Sequence, residues 1–165
     1  NQFHNPLNIE AHYHNTGPEL ANQITRYGCV DFDLPDAFVV GTGTGGTIMG
    51  CGGYLKTLWP DMKIVAVEPA ESPVMSGGQP GLHGIQGIGD GSKFLVDLDF
   101  VDEVKTVKTN CAKAIAKYLA LRYGLFVGIS AGANVKAAFE WLRDNNKKHA
   151  FTILCDRGER YLSCL

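Results

Sequence analysis

Ala37-Phe38-Val39-Val40-Gly41-Thr42-Gly43-Thr44-Gly45-Gly46-Thr47 is the stretch on which the reading of this chain turns. Its first four residues are apolar and partly β-branched, the pattern of a short strand buried in a parallel sheet. Glycines 41, 43, 45 and 46 follow at once, and a helix is expected from about Gly46 to Leu58, closed by Pro60. Lys63 to Glu68 reads as the next strand. Strand, glycine loop, helix and strand within about 30 residues make a βαβ unit. An ordinary strand-to-helix turn needs one glycine, whereas this one holds four. They let the backbone present a row of N–H donors at a helix N-terminus, an anion site that most often takes phosphate. The hydroxyls of Thr44 and Thr47 add donors.

Outward from this unit the alternation continues. The stretch from Pro69 to Gly91 is rich in Gly, Pro and Ser, and a loop of that length in a compact domain is usually functional. A strand is expected over Val101 to Val107, then a helix from Thr109 to Tyr123 with Thr109 as its cap and Gly124 at its end. Leu125 to Ile129 reads as a strand, Ser130 as the cap of a helix from Ala131 to about Asp144, and Phe151 to Cys155 as the last strand. Upstream, a short helix near Asn8 to His14 takes Asn8 as cap. Thr16-Gly17-Pro18-Glu19 reads as a second helix start, with a stripe at Leu20, Ile24 and Tyr27 and an end at Gly28. The fold class expected is α/β, an open twisted and mostly parallel sheet with helices on both faces. Residues 1–165 form a single domain in this reading.

Composition narrows the function classes. The chain has 165 residues, 45% hydrophobic and 19% charged, with a formal charge of -2. That content excludes a disordered chain, and the charge gives no electrostatic footprint for nucleic acid or an anionic membrane. No run approaches the roughly 18 apolar residues of a membrane span. Cys29, Cys51, Cys111, Cys155 and Cys164 are scattered and odd in number, which suits reduced thiols in a cytoplasmic enzyme. The opening Asn1-Gln2-Phe3 reads as the middle of something, so a processed or truncated piece is expected.

Three functions suit the glycine loop. Gly41-x-Gly43-x-x-Gly46, with Glu68 ending the next strand, fits an NAD(P)-binding oxidoreductase domain in which Glu68 holds a ribose. A non-catalytic module holding phosphate ligands or a partner peptide is another. The third emerges from motifs spread over the chain: Asn1-Gln2-Phe3-His4-Asn5-Pro6, Thr16-Gly17-Pro18-Glu19, the loop from Gly43 to Thr47, and Val67-Glu68-Pro69. They continue through Ser76-Gly77-Gly78, Ile85-Gln86-Gly87-Ile88-Gly89, Gly128-Ile129-Ser130-Ala131-Gly132-Ala133 and Gly158-Glu159-Arg160-Tyr161-Leu162-Ser163. In this order they resemble the C-terminal half of a cysteine synthase (O-acetylserine sulfhydrylase), in the pyridoxal-phosphate family that includes cystathionine β-synthase.

The resemblance implies the larger domain of a fold-type II enzyme, with pyridoxal 5'-phosphate as cofactor. It implies β-replacement on an activated serine, such as O-acetylserine, by sulfide or a thiol. Gly43, Thr44, Gly45, Gly46 and Thr47 match the cup for the cofactor phosphate, and Ser130 the serine bonded to the pyridine nitrogen. Gln2 matches the glutamine that helps hold the substrate carboxylate, and Gly87 a backbone position near that carboxylate. A neutral hydroxyl at Ser130 makes the ring a weaker electron sink than a carboxylate would, which suits prompt β-elimination. The family's Schiff-base lysine and its Ser/Thr-Gly-Asn-Thr loop have no match here, so the segment alone is expected to be inactive. The resemblance also implies a homodimer and, as a possible partner, the C-terminal tail of a serine acetyltransferase. Asp90, after Gly89, and Cys155-Asp156-Arg157 depart from the family pattern and bear on substrate preference and on electrostatics near the ring.

Other features read as structure. His12 and His14 diverge on a helix and suit a surface pair rather than a metal site. Cys155 reads as an inert thiol, Trp59 and Trp141 as packing, and Asp156, Arg157, Glu159 and Arg160 as a salt-bridged turn. Lys113, Lys117, Lys136, Lys147 and Lys148 read as solvated charges.

Overall fold

The computed structural model describes residues 1–27 and 34–164. Strand β1 (Ala37–Gly41) lies at the centre of the sheet. On one side it pairs in parallel with β2 (Lys63–Pro69), Val39 opposite Val65, and β2 pairs in parallel with β3 (Glu103–Val107). On the other side lies the two-residue β4 (Ala150–Phe151), also parallel, so the order is β3-β2-β1-β4. Successive strand side chains point to opposite faces, and both faces are covered. Ala37, Val39, Val65 and Val67 pack with Ile129, Ala133, Ala137 and Trp141. Phe38, Val40, Ile64 and Ala66 pack with Ile48, Cys51 and Leu55. This double burial is why the strands read as continuous apolar runs rather than alternating ones.

The first face is covered by α5 (Ile129–Asn145), with α4 (Thr109–Tyr123) packed against it. Their close approach runs through Gly132, where a Cβ would stand 2.1 Å from the Ala112 carbonyl oxygen. The second face is covered by α3 (Gly46–Leu58), against which the N-terminal helices pack: α1 (Leu7–Ala11), a π-helical turn (His12–Thr16) and α2 (Gly17–Tyr27). A 3₁₀ turn spans Gly158–Tyr161. No helix among the described residues is long and apolar enough to cross a membrane.

Several local expectations are corrected. The N-terminal helices form one near-continuous rod: Pro6 rather than Asn8 precedes α1, and the π turn runs straight into α2, so Thr16 starts nothing. Its hydroxyl instead meets His12 Nδ1 at 2.9 Å. The expected helix end at Gly28 lies outside the described residues. Thr109 and Ser130 are not caps; Lys108 and Gly128 hold those positions, neither with a side-chain cap bond. Thr109 Oγ1 accepts instead from Gly84 N at 3.0 Å, a tertiary partner that outcompetes the local one. Leu125 to Ile129 is no strand: Val127 makes one antiparallel bridge to Arg157, and Ile129 already belongs to α5. The last strand is Ala150–Phe151, not Phe151 to Cys155, and β3 begins at Glu103 rather than Val101.

Asp102 fastens the entry to β3. Its carboxylate accepts from Ile64 N at 2.8 Å and pairs with Lys63 at 2.9 Å and Lys56 at 3.3 Å. Burial alone would raise this carboxyl, but the Ile64 N–H and the two ammonium groups outweigh it and hold it below the ordinary value.

Two outcomes are expected from this packing. Gly132→Ala drives a methyl into the Ala112 carbonyl and should lower stability by about 1–3 kcal/mol, read from urea midpoints. Asp102→Asn should cost about 1–2 kcal/mol at neutral pH. Because the folded value is depressed, the carboxylate's contribution is full above its unfolded value and vanishes as pH falls through the folded one. Variant and wild type should therefore converge in acid.

Candidate functional site

A cleft of about 440 Å³ opens at the C-terminal end of β1, lined there by Val40 and Gly41. In open α/β sheets this is where ligands bind, at the point where strand order reverses. Here β1 connects through α3 to β2 on one side and has β4 on the other. Gly43, Thr44, Gly45 and Thr47 of the glycine loop form one wall, and Ser130, Cys155, Gln86 and Gly87 line the rest.

The glycine wall is built for an oxyanion. Gly45 occupies the N-cap position of α3 at φ 90°, a left-handed conformation that L side chains rarely adopt, with Val96 N 2.8 Å from where a Cβ would stand. No side chain caps the helix from the Gly45 position; within the first turn Gly46 N donates to Thr44 Oγ1 at 3.3 Å. The N–H groups of Gly43, Thr44 and Gly45 have no acceptor among the described residues. Convergent unspent donors at the positive end of a helix suit a phosphate group. The donor set therefore fits the phosphate of the expected cofactor.

Gly87 reaches the cleft from the long segment between β2 and β3. Its carbonyl oxygen would be 2.6 Å from a Cβ at Gly43, so glycine there lets the two loops touch. Ile85 and Ile88 anchor this turn in the core, and Gly89 N donates to Thr42 O at 3.0 Å. His83 spans its two ends: Nδ1 accepts from Ile85 N at 3.3 Å, and Nε2 faces Gly89 O at 3.0 Å. A carbonyl only accepts and an amide N–H only donates, so the ring is the neutral Nε2–H tautomer.

The opposite wall is held by Asn134, fully buried one helical turn after Ser130. Its Oδ1 accepts from Gly41 N at 2.7 Å and its Nδ2 donates to Ile153 O at 2.8 Å. Ser130 itself is 3% exposed and lines the cleft, its hydroxyl not used for capping. Burial pushes the Cys155 thiol up, while Ser130 and Asn134 act against that. Below them the Tyr161 hydroxyl donates to Asp156, which together with burial pushes the phenol up to about 12. The other Asp156 oxygen is buried without a partner among the described residues. Arg157 pairs with Glu159 at 2.5 Å, the exposed turn expected there.

Of the residues expected at the site, Gly43, Thr44, Gly45, Thr47, Gly87 and Ser130 line the cleft. Gly46 does not: it is buried against Asn8. Gln2 is exposed and does not line the cleft; its backbone carbonyl accepts from Asn8 Nδ2 at 2.8 Å. His12 was read as half of a surface pair. It lines the cleft instead, with Nε2 3.4 Å from Thr47 Oγ1, and burial lowers its pKa. His14 remains exposed. No lysine lines the cleft, and no metal-binding cluster occurs among the described residues. Asn134, His83 and Asn8 were missed. Only Asn134 left a trace in the sequence, four residues after Ser130 and so on the same helix face.

Glu68 is taken elsewhere. It is 2% exposed and accepts from Met75 N at 2.7 Å, Ser76 N at 3.0 Å and Ser76 Oγ at 2.6 Å. Both oxygens are engaged in holding the segment after β2, which leaves no edge for a ribose.

Comparison with known proteins agrees with this geometry. The family described as pyridoxal-phosphate dependent enzyme matches residues 1–156. A cysteine synthase of Staphylococcus aureus is 41% identical over 166 residues, covering 98% of this chain and 51% of that protein. The structure of O-acetyl serine sulfhydrylase isoform 3 from Entamoeba histolytica superposes with a TM-score of 0.87 at 40% identity, over 99% of this chain and 47% of that one. A hydrogen sulfide-producing enzyme from Fusobacterium nucleatum gives 0.90 at 38%, over 99% and 48%. The chain thus spans about half the length of these relatives.

Glu68→Ala should cost about 2–4 kcal/mol, because it orphans buried donors, and the wild type should show no saturable NAD binding by fluorescence titration. Tight NAD binding lost in the variant would reverse the assignment of Glu68.

Proposed function

Because the chain belongs to the pyridoxal-phosphate dependent enzyme family, we propose that it forms the cofactor-phosphate-binding half of a longer cysteine synthase-like enzyme. The reaction is replacement of the β-substituent of an activated serine, such as O-acetylserine, by sulfide or a thiol. The observation that carries this reading is the cleft itself. Gly43, Thr44 and Gly45, whose N–H groups are unspent, line the same cleft of about 440 Å³ as Ser130 at the start of α5.

Pyridoxal phosphate, when bound, supplies the electron sink that stabilises charge developing at the substrate α-carbon. The chain's own residues do the rest of what is assigned here. Gly43, Thr44, Gly45 and Thr47 would hold the phosphate. Ser130, which lines the same cleft, would meet the pyridine nitrogen with a neutral hydroxyl. A hydroxyl holds no formal charge, so it orients the ring without fixing a proton on that nitrogen. The turn at Gly87 closes the cleft beside the phosphate loop and offers backbone groups to a substrate carboxylate. Asn134 keeps the two walls at constant separation. Lysine chemistry is assigned to the other half of the enzyme, since the cleft has no lysine in its lining. A homodimer, and docking of an acetyltransferase tail at the cleft mouth, belong to the same reading.

The test is the visible absorption spectrum and intact mass of the protein from its natural source, with cysteine formation assayed from O-acetylserine and sulfide. The expected result is an absorption band of bound pyridoxal phosphate on a chain about twice this length, with cysteine as product. A colourless, inactive protein would overturn the proposal. Within an active enzyme, Ser130→Ala should lower kcat by about 10–100-fold with the phosphate contacts intact.

A further inference from the structure

Thr44 sits in the phosphate wall, and the hydrogen-bonding state of its hydroxyl is decided from outside the loop. Thr44 Oγ1 accepts from Asn8 Nδ2 at 2.9 Å and from Gly46 N at 3.3 Å. A hydroxyl has two lone pairs and one hydrogen. With both lone pairs filled, the one capacity left to it is its O–H, and Thr44 lines the cleft.

The orientation of Asn8 is set in turn. Its Nδ2 also donates to the Gln2 carbonyl at 2.8 Å, and a carbonyl can only accept, so the amide cannot be flipped. Its Oδ1 occupies the space beside Gly46, where a Cβ would stand 2.0 Å away. Asn8 is half-buried, and its amide is thus held by the Gln2 carbonyl, the Thr44 hydroxyl and the wall of α3.

We infer that Asn8 is a positioning residue of the anion site: by filling one lone pair of Thr44 it makes that hydroxyl an obligate donor to a ligand oxygen that carries no proton. The inference rests on the reading that the loop from Gly43 to Thr47 holds a phosphate group. Under it, the site is tuned to an acceptor-only edge, the dianionic phosphate monoester, and the tuning originates in the N-terminal segment rather than in the glycine motif. Asn8 touches no ligand and acts through Thr44.

The test is a double-mutant cycle in the full-length protein, with pyridoxal 5'-phosphate, inorganic phosphate and pyridoxal as probes and calorimetry as the readout. Asn8→Ala should weaken the two phosphate ligands by about 3–10-fold, the scale of one neutral hydrogen bond, and leave pyridoxal unchanged. In a Thr44→Val background, Asn8→Ala should have no further effect. In Thr44→Ser, which keeps the hydroxyl, the dependence on Asn8 should return. Asn8→Asp offers a carboxylate to the Thr44 O–H and turns it away from the ligand, so its loss should exceed that of Asn8→Ala. Thermal melts of each variant separate these effects from unfolding. Additive losses in the cycle, or equal losses for pyridoxal and its phosphate, would overturn the role of Asn8 while the phosphate reading stands. Failure of the wild type to bind either phosphate ligand would overturn that reading and this inference with it.

Discussion

The buried amide of Asn134 is the contact on which the cleft depends. The end of a parallel strand leaves backbone groups that no neighbouring strand satisfies, and burial makes an unpaired one costly. Here the N–H of Gly41 and the carbonyl of Ile153 lie on opposite sides of a gap left by β4, which ends at Phe151. One side chain, with an acceptor at one end and a donor at the other, satisfies both at 2.7 and 2.8 Å. It does so from α5, the helix that also presents Ser130. Strand end, helix start and cleft wall are therefore one rigid unit, and the gap between β1 and the segment after β4 becomes a binding space instead of a defect.

A second constraint is the placement of unspent hydrogen-bonding capacity. Several polar side chains near the cleft are paired inside the protein: Glu68 with the segment after β2, Thr109 with Gly84, His83 with both ends of its turn. Unspent donors do lie at the cleft, on the N–H groups of Gly43, Thr44 and Gly45 and the O–H of Thr44. A helix N-terminus left uncapped would ordinarily be a cost. At α3 the uncapped start borders the cleft, where unspent donors and the helix dipole together favour an anion.

The sheet and the glycine loop were legible because their causes are local. Strands buried on both faces must be apolar throughout, so Ala37 to Val40 and Ile64 to Val67 declared themselves. A loop at φ 90° that another chain segment touches must be glycine, so Gly45 and Gly43 did too. The caps were misread for an equally physical reason. Asn8, Thr109 and Ser130 have side chains short enough to bond their own backbone or a neighbour's, and only the packed chain brings the neighbour close enough to win. Glu68 shows the same competition: at the end of β2 it stands where a ribose ligand is expected, but Met75 and Ser76 reach it first.

What the sequence determined by itself was the alternation of strand and helix, the glycine-rich turn from Gly43 to Thr47 leading from β1 into α3, and the family to which the motifs belong. Each depends on residue type and near spacing alone. Tertiary structure decided which side chains face the cleft and which serve the walls: His12 entered it, Gly46 and Gln2 did not, and Asn8 came to govern the hydroxyl of Thr44 across thirty-six positions of chain. Those outcomes turn on which partner lies within about 3 Å once the chain has packed, and that distance is set by the whole fold rather than by any segment of it.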